Sequence, residues 1–153
     1  MKESIYNYIS SRSREFIEIS DKIWEFAELS LNEYKSAACY IDFLKKEGFS
    51  VREQAANVPT AFVASYGSGR PRIGILAEYD ALSSLSQKPG IANQQPLVPG
   101  GHGHGCGHNL LGAGSLAAAV AVKNLIETGK LPGTVVFYGC PGEEGCAGKS
   151  FMA

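Results

Sequence analysis

The sequence has almost no net charge. Lysine and arginine total 14 against 15 acidic residues, for a formal charge of −1. Its longest basic run is Lys45-Lys46, so it offers no cationic field to gather nucleic acid or an anionic membrane surface. It lacks an uninterrupted apolar run of the roughly 20 residues that a membrane span needs. Its opening, Met1-Lys2-Glu3-Ser4, lacks the apolar core of a secretory signal. There is no Walker lysine motif. Cysteine is sparse, at positions 39, 106, 140 and 146. With no signal segment, these thiols are expected to be reduced rather than paired. Together these absences predict a cytoplasmic protein that engages neither nucleic acid nor membrane.

What is present suits a packed domain. Hydrophobic residues make up 44% and charged residues 19% of 153 positions, enough for a core. Residues 4–29 hold no glycine or proline. There Ile5, Ile9, Phe16, Ile19, Ile23 and Phe26 recur at helical spacing. Ser30-Leu31-Asn32 interrupts, and a second helical stripe follows through Tyr34, Ala37, Ala38, Ile41 and Leu44 until Gly48. Cys39 lies on this helix and reads as core. Short strands are expected around Phe49 and Val51, at Thr60–Tyr66 and at Ile73–Ala77, the last two joined by a Gly67–Pro71 hairpin loop. Residues 109–128 read as a third helix, closed by Gly129, and Thr134–Tyr138 as a buried strand. The alternation predicts an α/β fold: a three-layer domain with a central, mostly parallel sheet flanked by helices. Residues 79–107 carry no periodicity, and a stretch of that length is expected to be functional or disordered.

Three clusters could carry chemistry. The first is Gly101-His102-Gly103-His104-Gly105-Cys106-Gly107-His108-Asn109, which holds all three histidines of the chain. Thiolate and imidazole are natural zinc ligands. In an extended segment Cys106 and His108 would project to the same side. The plain alternative is a loop of solvated imidazoles, which suits His102 and His104 better. The second is Gly139-Cys140-Pro141-Gly142-Glu143-Glu144-Gly145, just past the buried strand, where open α/β sheets build their sites. An extended turn would send Glu143 and Glu144 to opposite sides, one toward a metal and one toward a substrate water. The third is Glu78-Tyr79-Asp80 at another strand end, where both acids share a side if the strand continues. Gly112-Ala113-Gly114-Ser115-Leu116-Ala117 matches a dinucleotide-binding pattern. It sits inside a helical run rather than after a strand, which argues against that use.

Through ILAEYDAL, HGHGCGHNLLGAGSLAAAVAVK and VVFYGCPGEEGCAGKSFM the chain resembles the zinc-dependent aminoacylase/carboxypeptidase superfamily of amidohydrolases, in its branch of N-acyl-amino-acid and dipeptide hydrolases. The resemblance implies that Cys106, His108 and Glu144 are metal ligands and Glu143 the general base. It casts Asp80 as the acid that supports a ligand. Glu78 falls where some members place a histidine ligand. The implied cofactor is Zn2+ or Mn2+, two ions roughly 3.5–4 Å apart in the full-length enzyme. The implied substrate is the amide bond of an N-acyl amino acid, aminobenzoyl-glutamate or dipeptide, and the implied assembly a homodimer when full length. Members of the superfamily are longer, with two further histidine ligands and a lid or dimerisation domain. The 153 residues are therefore expected to be the N-terminal part of a catalytic domain, inactive alone and able to bind at most one ion weakly. The competing reading is a non-catalytic metal-binding or interaction module on the same fold.

Overall fold

The computed structural model describes residues 2–153. Two helices open the chain: α1 (Lys2–Ser11) and α2 (Ser13–Phe26). The long helix expected over 4–29 is thus broken at Arg12, whose φ of −114° and ψ of 9° leave the helical region. The Arg12 guanidinium is anchored there, pairing with Glu15 and with Glu47 at 2.6 Å each. Helix α3 (Tyr34–Lys46) follows, and its buried Ala37, Tyr40 and Leu44 repeat every three to four residues. Strands β1 (Ser50–Glu53), β2 (Phe62–Ser68) and β3 (Arg72–Ala77) precede the long α4 (His108–Glu127) and β4 (Gly133–Gly139). A single helical turn, α5 (Glu143–Cys146), and a 3-10 turn at Gly148–Phe151 complete the described elements.

The α/β class is as expected, but the sheet is mixed rather than mostly parallel. Its order is β1-β2-β4-β3; β1–β2 and β2–β4 run antiparallel, and only β3–β4 is parallel. The hairpin expected between β2 and β3 does not form. The β3–α4–β4 unit instead returns β4 beside β3, and β4 takes the centre because almost all of it is buried. The Gly67–Pro71 loop then has only to span from one neighbour of β4 to the other.

Within the described residues α2, α3 and α4 form a helical layer packed on the sheet. Phe62, Ala64, Ala77, Val135 and Phe137 point into that layer and share one cluster with Phe16, Ile19 and Ile23 of α2, Tyr40 and Leu44 of α3, and Leu116 and Val120 of α4. On the other face Leu76 of β3 remains about half exposed, at 52%. Helix α4 is apolar enough over 18 residues to pass for a membrane span, yet 56% of that window is buried within this fold. It is apolar on most sides because it sits between the sheet and α2.

Two local features aim at the strand ends. Tyr40, Phe62, Tyr79 and Phe137 interlock with ring centroids 5.7 to 6.5 Å apart, directly beneath the Glu78–Asp80 segment. The aperiodic 79–107 stretch is ordered as an irregular antiparallel hairpin. Leu82 and Gly103 exchange backbone hydrogen bonds of 3.0 Å, and the Lys88 N–H donates to Gln95 farther out. That return brings residues 104–108 back beside Asp80.

Candidate metal centre

Each expected site residue has a specific backbone reason for its position. β3 ends at Ala77, and the chain continues so that Glu78 and the buried Asp80 both reach His108, while Tyr79 turns into the core and donates to the Thr60 carbonyl at 2.6 Å. Gly107 takes a left-handed conformation (φ 78°, ψ 27°) and starts α4, so His108 is the first helical residue. Cys106 and His108 therefore converge through a glycine turn, not through extended alternation. Gly142 is also left-handed (φ 66°, ψ 33°) and starts α5. Glu143 and Glu144 are consequently neighbours on one helical turn, not on opposite sides of an extended one. Both carboxylates face the same imidazole.

That imidazole is the hub. His108 is 2% exposed. Its Nδ1 lies 2.9 Å from Asp80 Oδ1, donating to a carboxylate whose side chain is fully buried. With the Nδ1 proton held there, Nε2 is left to present a lone pair. Around Nε2 lie Glu78 at 3.1 Å, Glu143 at 3.7 Å and Glu144 at 3.9 Å. Two overlapping donor sets result. Cys106, His108 and Glu144 offer ligand atoms all within 4.8 Å of one another, and so do Glu78, His108 and Glu143. Donors that share an ion at about 2.0–2.3 Å lie roughly 3–4.5 Å apart, so either set is close to the span of one small cation.

Asp80 does more than orient one ring. Its Oδ2 accepts from Ser30 Oγ at 2.8 Å and from the Glu144 backbone N–H at 2.9 Å. One carboxylate therefore ties the N-terminal connection, the His108 ring and the Glu143–Glu144 turn together. Ser30 carries no signal in the sequence, because its partner stands 50 residues away. Glu33, buried in the same connection, is silent in the sequence for the same reason.

The local charge is strongly negative. The Glu144 carboxylate, which takes a hydrogen bond from the Cys106 thiol, pushes that thiol's pKa up, and the charges of Glu143 and Glu78 add to the effect. Lys149 is the nearby cation. It pairs with Glu78, and that hydrogen bond holds the ammonium above its ordinary range. Because Glu78 is engaged by Lys149, the set of Cys106, His108 and Glu144 is the one without a competing cation. Cys140 stays apart from this: it is buried, and burial pushes its thiol up to about 11. All four cysteines are free thiols. His102 is exposed, while His104 is half-buried with Nε2 3.0 Å from the Ile23 carbonyl. Burial lowers the His104 pKa. The Gly112–Ala117 segment lies inside α4, so it does not open a helix as a dinucleotide site requires.

A family model for peptidase family M20/M25/M40 matches residues 74–153, the half of the chain that carries every one of these donors. The chain belongs to this family. Among relatives, a p-aminobenzoyl-glutamate hydrolase polypeptide of Escherichia coli is 47% identical over 155 residues, covering 98% of this chain and 32% of the relative. Human Xaa-Arg dipeptidase is 32% identical over 148 residues, covering 86% of this chain and 30% of the relative. The chain thus spans about a third of the length of the curated M20 relatives it matches. Among solved structures, a dinuclear metal binding peptidase of the M20 family from Bacillus subtilis superposes with a TM-score of 0.76 at 24% identity, over 93% of this chain and 39% of that one. An aminobenzoyl-glutamate utilization protein from Klebsiella pneumoniae gives 0.68 at 16% identity, over 97% and 41%. At those identities the superpositions speak to the fold, and they place the present chain in the M20 peptidase architecture.

Proposed function

We propose that this chain is the N-terminal part of the catalytic domain of a metal-dependent amidohydrolase. Its substrate would be the amide bond of an N-acyl amino acid, aminobenzoyl-glutamate or a dipeptide. The observation that carries the reading is the state of His108: Nδ1 is held by a buried carboxylate while Nε2 faces a thiol and three acids. Solvated loop residues have no need of that arrangement. The names of the E. coli and human relatives, a hydrolase of an aminobenzoyl-glutamate and a dipeptidase, agree with a small amide substrate.

The donor set fits a divalent cation of borderline softness. Cys106, His108 and Glu144 would hold it, and the thiolate favours zinc, with manganese the alternative for a more oxygen-rich site. A bound ion of this kind lowers the pKa of water toward neutrality and polarises an amide carbonyl. Glu143 stands beside the same centre, 3.7 Å from Nε2 and about one-third exposed, so it can reach solvent on the substrate side. It takes the proton of the attacking water and passes it to the leaving nitrogen. Asp80 holds His108 in the ligating tautomer. The two donor sets share one imidazole nitrogen, which can serve one ion only, so this chain supplies the donors for a single ion. A two-ion centre would draw its further ligands from sequence of the kind the longer relatives carry. In this reading the protein works in the cytoplasm, where Cys106 stays reduced, and assembles as a homodimer at full length.

The decisive experiment is Glu143→Gln in the protein expressed from its full reading frame. Zinc binding should persist, while hydrolysis of an acyl-amino acid should fall by about 10²–10⁴-fold, the usual contribution of a general base. Retained hydrolysis would eliminate Glu143 as the base. A purely metal-binding module would show zinc uptake with no hydrolysis in either form.

A further inference from the structure

Glu33 immediately precedes α3 and is 0% exposed. It occupies the N-cap position of α3 but makes no side-chain cap bond to that helix. Its Oε1 accepts instead from the Leu31 N–H at 2.9 Å and the Gly142 N–H at 2.7 Å, and its Oε2 accepts from Thr60 Oγ1 at 3.0 Å. All three partners are uncharged donors. Burying a carboxylate without a cation costs several kcal/mol in general, so such a group persists where its acceptor oxygens hold something in place.

What it holds is the turn before the paired acids. Gly142 directly precedes Glu143 and Glu144, and its left-handed backbone sets the direction in which they leave the strand. The Glu144 N–H is fixed by Asp80, two residues further along. The turn is therefore pinned at Gly142 by Glu33 and at Glu144 by Asp80. Thr60, the third partner of Glu33, also accepts the Tyr79 hydroxyl through its carbonyl, and Tyr79 lies between Glu78 and Asp80. Glu33 and Thr60 thus form one buried node beneath both acid-bearing segments, with Glu33 109 residues from Gly142 in sequence.

We propose that Glu33 is a positioning residue: its Oε1, by accepting from the Gly142 backbone, fixes the turn that presents Glu143 and Glu144 to the metal centre. The inference rests on the hydrolase reading for its consequence, but not for its geometry. Its action is that of a hydrogen-bond acceptor, so Gln in its place retains the function and the shorter Asp does not.

The test compares Glu33→Gln, Glu33→Asp and Thr60→Val with the parent 153-residue chain. The first readout is hydrogen exchange of the Gly142 amide by NMR, which needs no metal. The second is cobalt(II) titration followed by its visible and thiolate charge-transfer absorption. Glu33→Asp should expose the Gly142 amide, speeding exchange by about tenfold or more, and weaken cobalt binding about 10–100-fold, as loss of a supporting partner of a ligand does. Glu33→Gln should remain near the parent in both. Thr60→Val should lower the melting temperature while leaving Gly142 protected and cobalt affinity near the parent. The proposal is overturned if Glu33→Asp leaves Gly142 protected, if Glu33→Gln loses as much as Glu33→Asp, or if Thr60→Val weakens cobalt binding in proportion to its lost stability. A parent chain that binds no cobalt, yet shows the expected exchange pattern, would refute the metal centre while sustaining the positioning role.

Discussion

Replacing Asp80 by Asn changes one atom and should disable the metal centre. The Asp80 carboxylate accepts on every side: from His108 Nδ1 at 2.9 Å, Ser30 Oγ at 2.8 Å and the Glu144 N–H at 2.9 Å. An asparagine has one acceptor oxygen and one donor nitrogen for the same space. If the oxygen faces His108, the new NH₂ meets the Glu144 N–H head-on. That leaves a buried donor unpaired, at a cost of about 1–3 kcal/mol. If the amide turns over, the oxygen serves Glu144 and Ser30, and the NH₂ donates to Nδ1. The three side-chain contacts are then kept, but the imidazole proton must move to Nε2, the atom that faces Cys106 and Glu144, and Nδ1 can no longer donate to the Asp80 carbonyl 3.1 Å away. Either arrangement harms the centre: the first frees the Glu144 turn from Asp80, and the second removes the lone pair a metal needs. Losses on changing a ligand's supporting partner are typically 10–100-fold in affinity, or about 1.4–2.7 kcal/mol. The assay is competition for zinc against a chromophoric chelator near neutral pH, with circular dichroism to show that the near-isosteric variant is folded. Binding by a folded Asp80→Asn chain within about twofold of the parent would refute the tautomer argument, since effects of this class start near tenfold.

Two other perturbations probe the scaffold. Gly112→Ala should destabilise the fold by about 1–3 kcal/mol in urea unfolding, because the new methyl would meet Glu78 O at 2.7 Å and Tyr40 Cζ at 3.1 Å; unchanged stability would mean that α4 can lift away from the strand end freely. Burial pushes the Glu33 carboxyl above its ordinary range, with its hydrogen bonds opposing. Its folded value then exceeds its unfolded one, so its contribution is most favourable below about pH 4.3 and is lost as pH rises through the folded value. The melting temperature of Glu33→Gln, which does not titrate, should therefore improve relative to the parent between pH 4 and pH 8, and a gap that stays constant would exclude the shift.

Much of this protein is legible in one dimension. The stripes Phe16-Ile19-Ile23 and Ala37-Tyr40-Leu44 fix two amphipathic helices because a helix returns the same face every three to four residues. The continuous run Thr134–Phe137 marks a strand covered on both sides. The chemical types of Cys106, His108, Glu143, Glu144 and Asp80 are local facts, and they limit what a site built from them could bind. The tertiary structure alone decided the rest. Sheet order depends on which strand β4 pairs with, and no spacing within β2 or β3 encodes that partner. The directions of Cys106, Glu143 and Glu144 depend on left-handed glycines at 107 and 142, whose φ is chosen by the surrounding packing as much as by the residue. Ser30 and Glu33 are ordinary polar residues in sequence and act only through partners 50 and 109 positions away. Hydrogen-bond direction between distant segments is set when the chain closes on itself, so the ligating state of His108 belongs to the fold rather than to the order of residues.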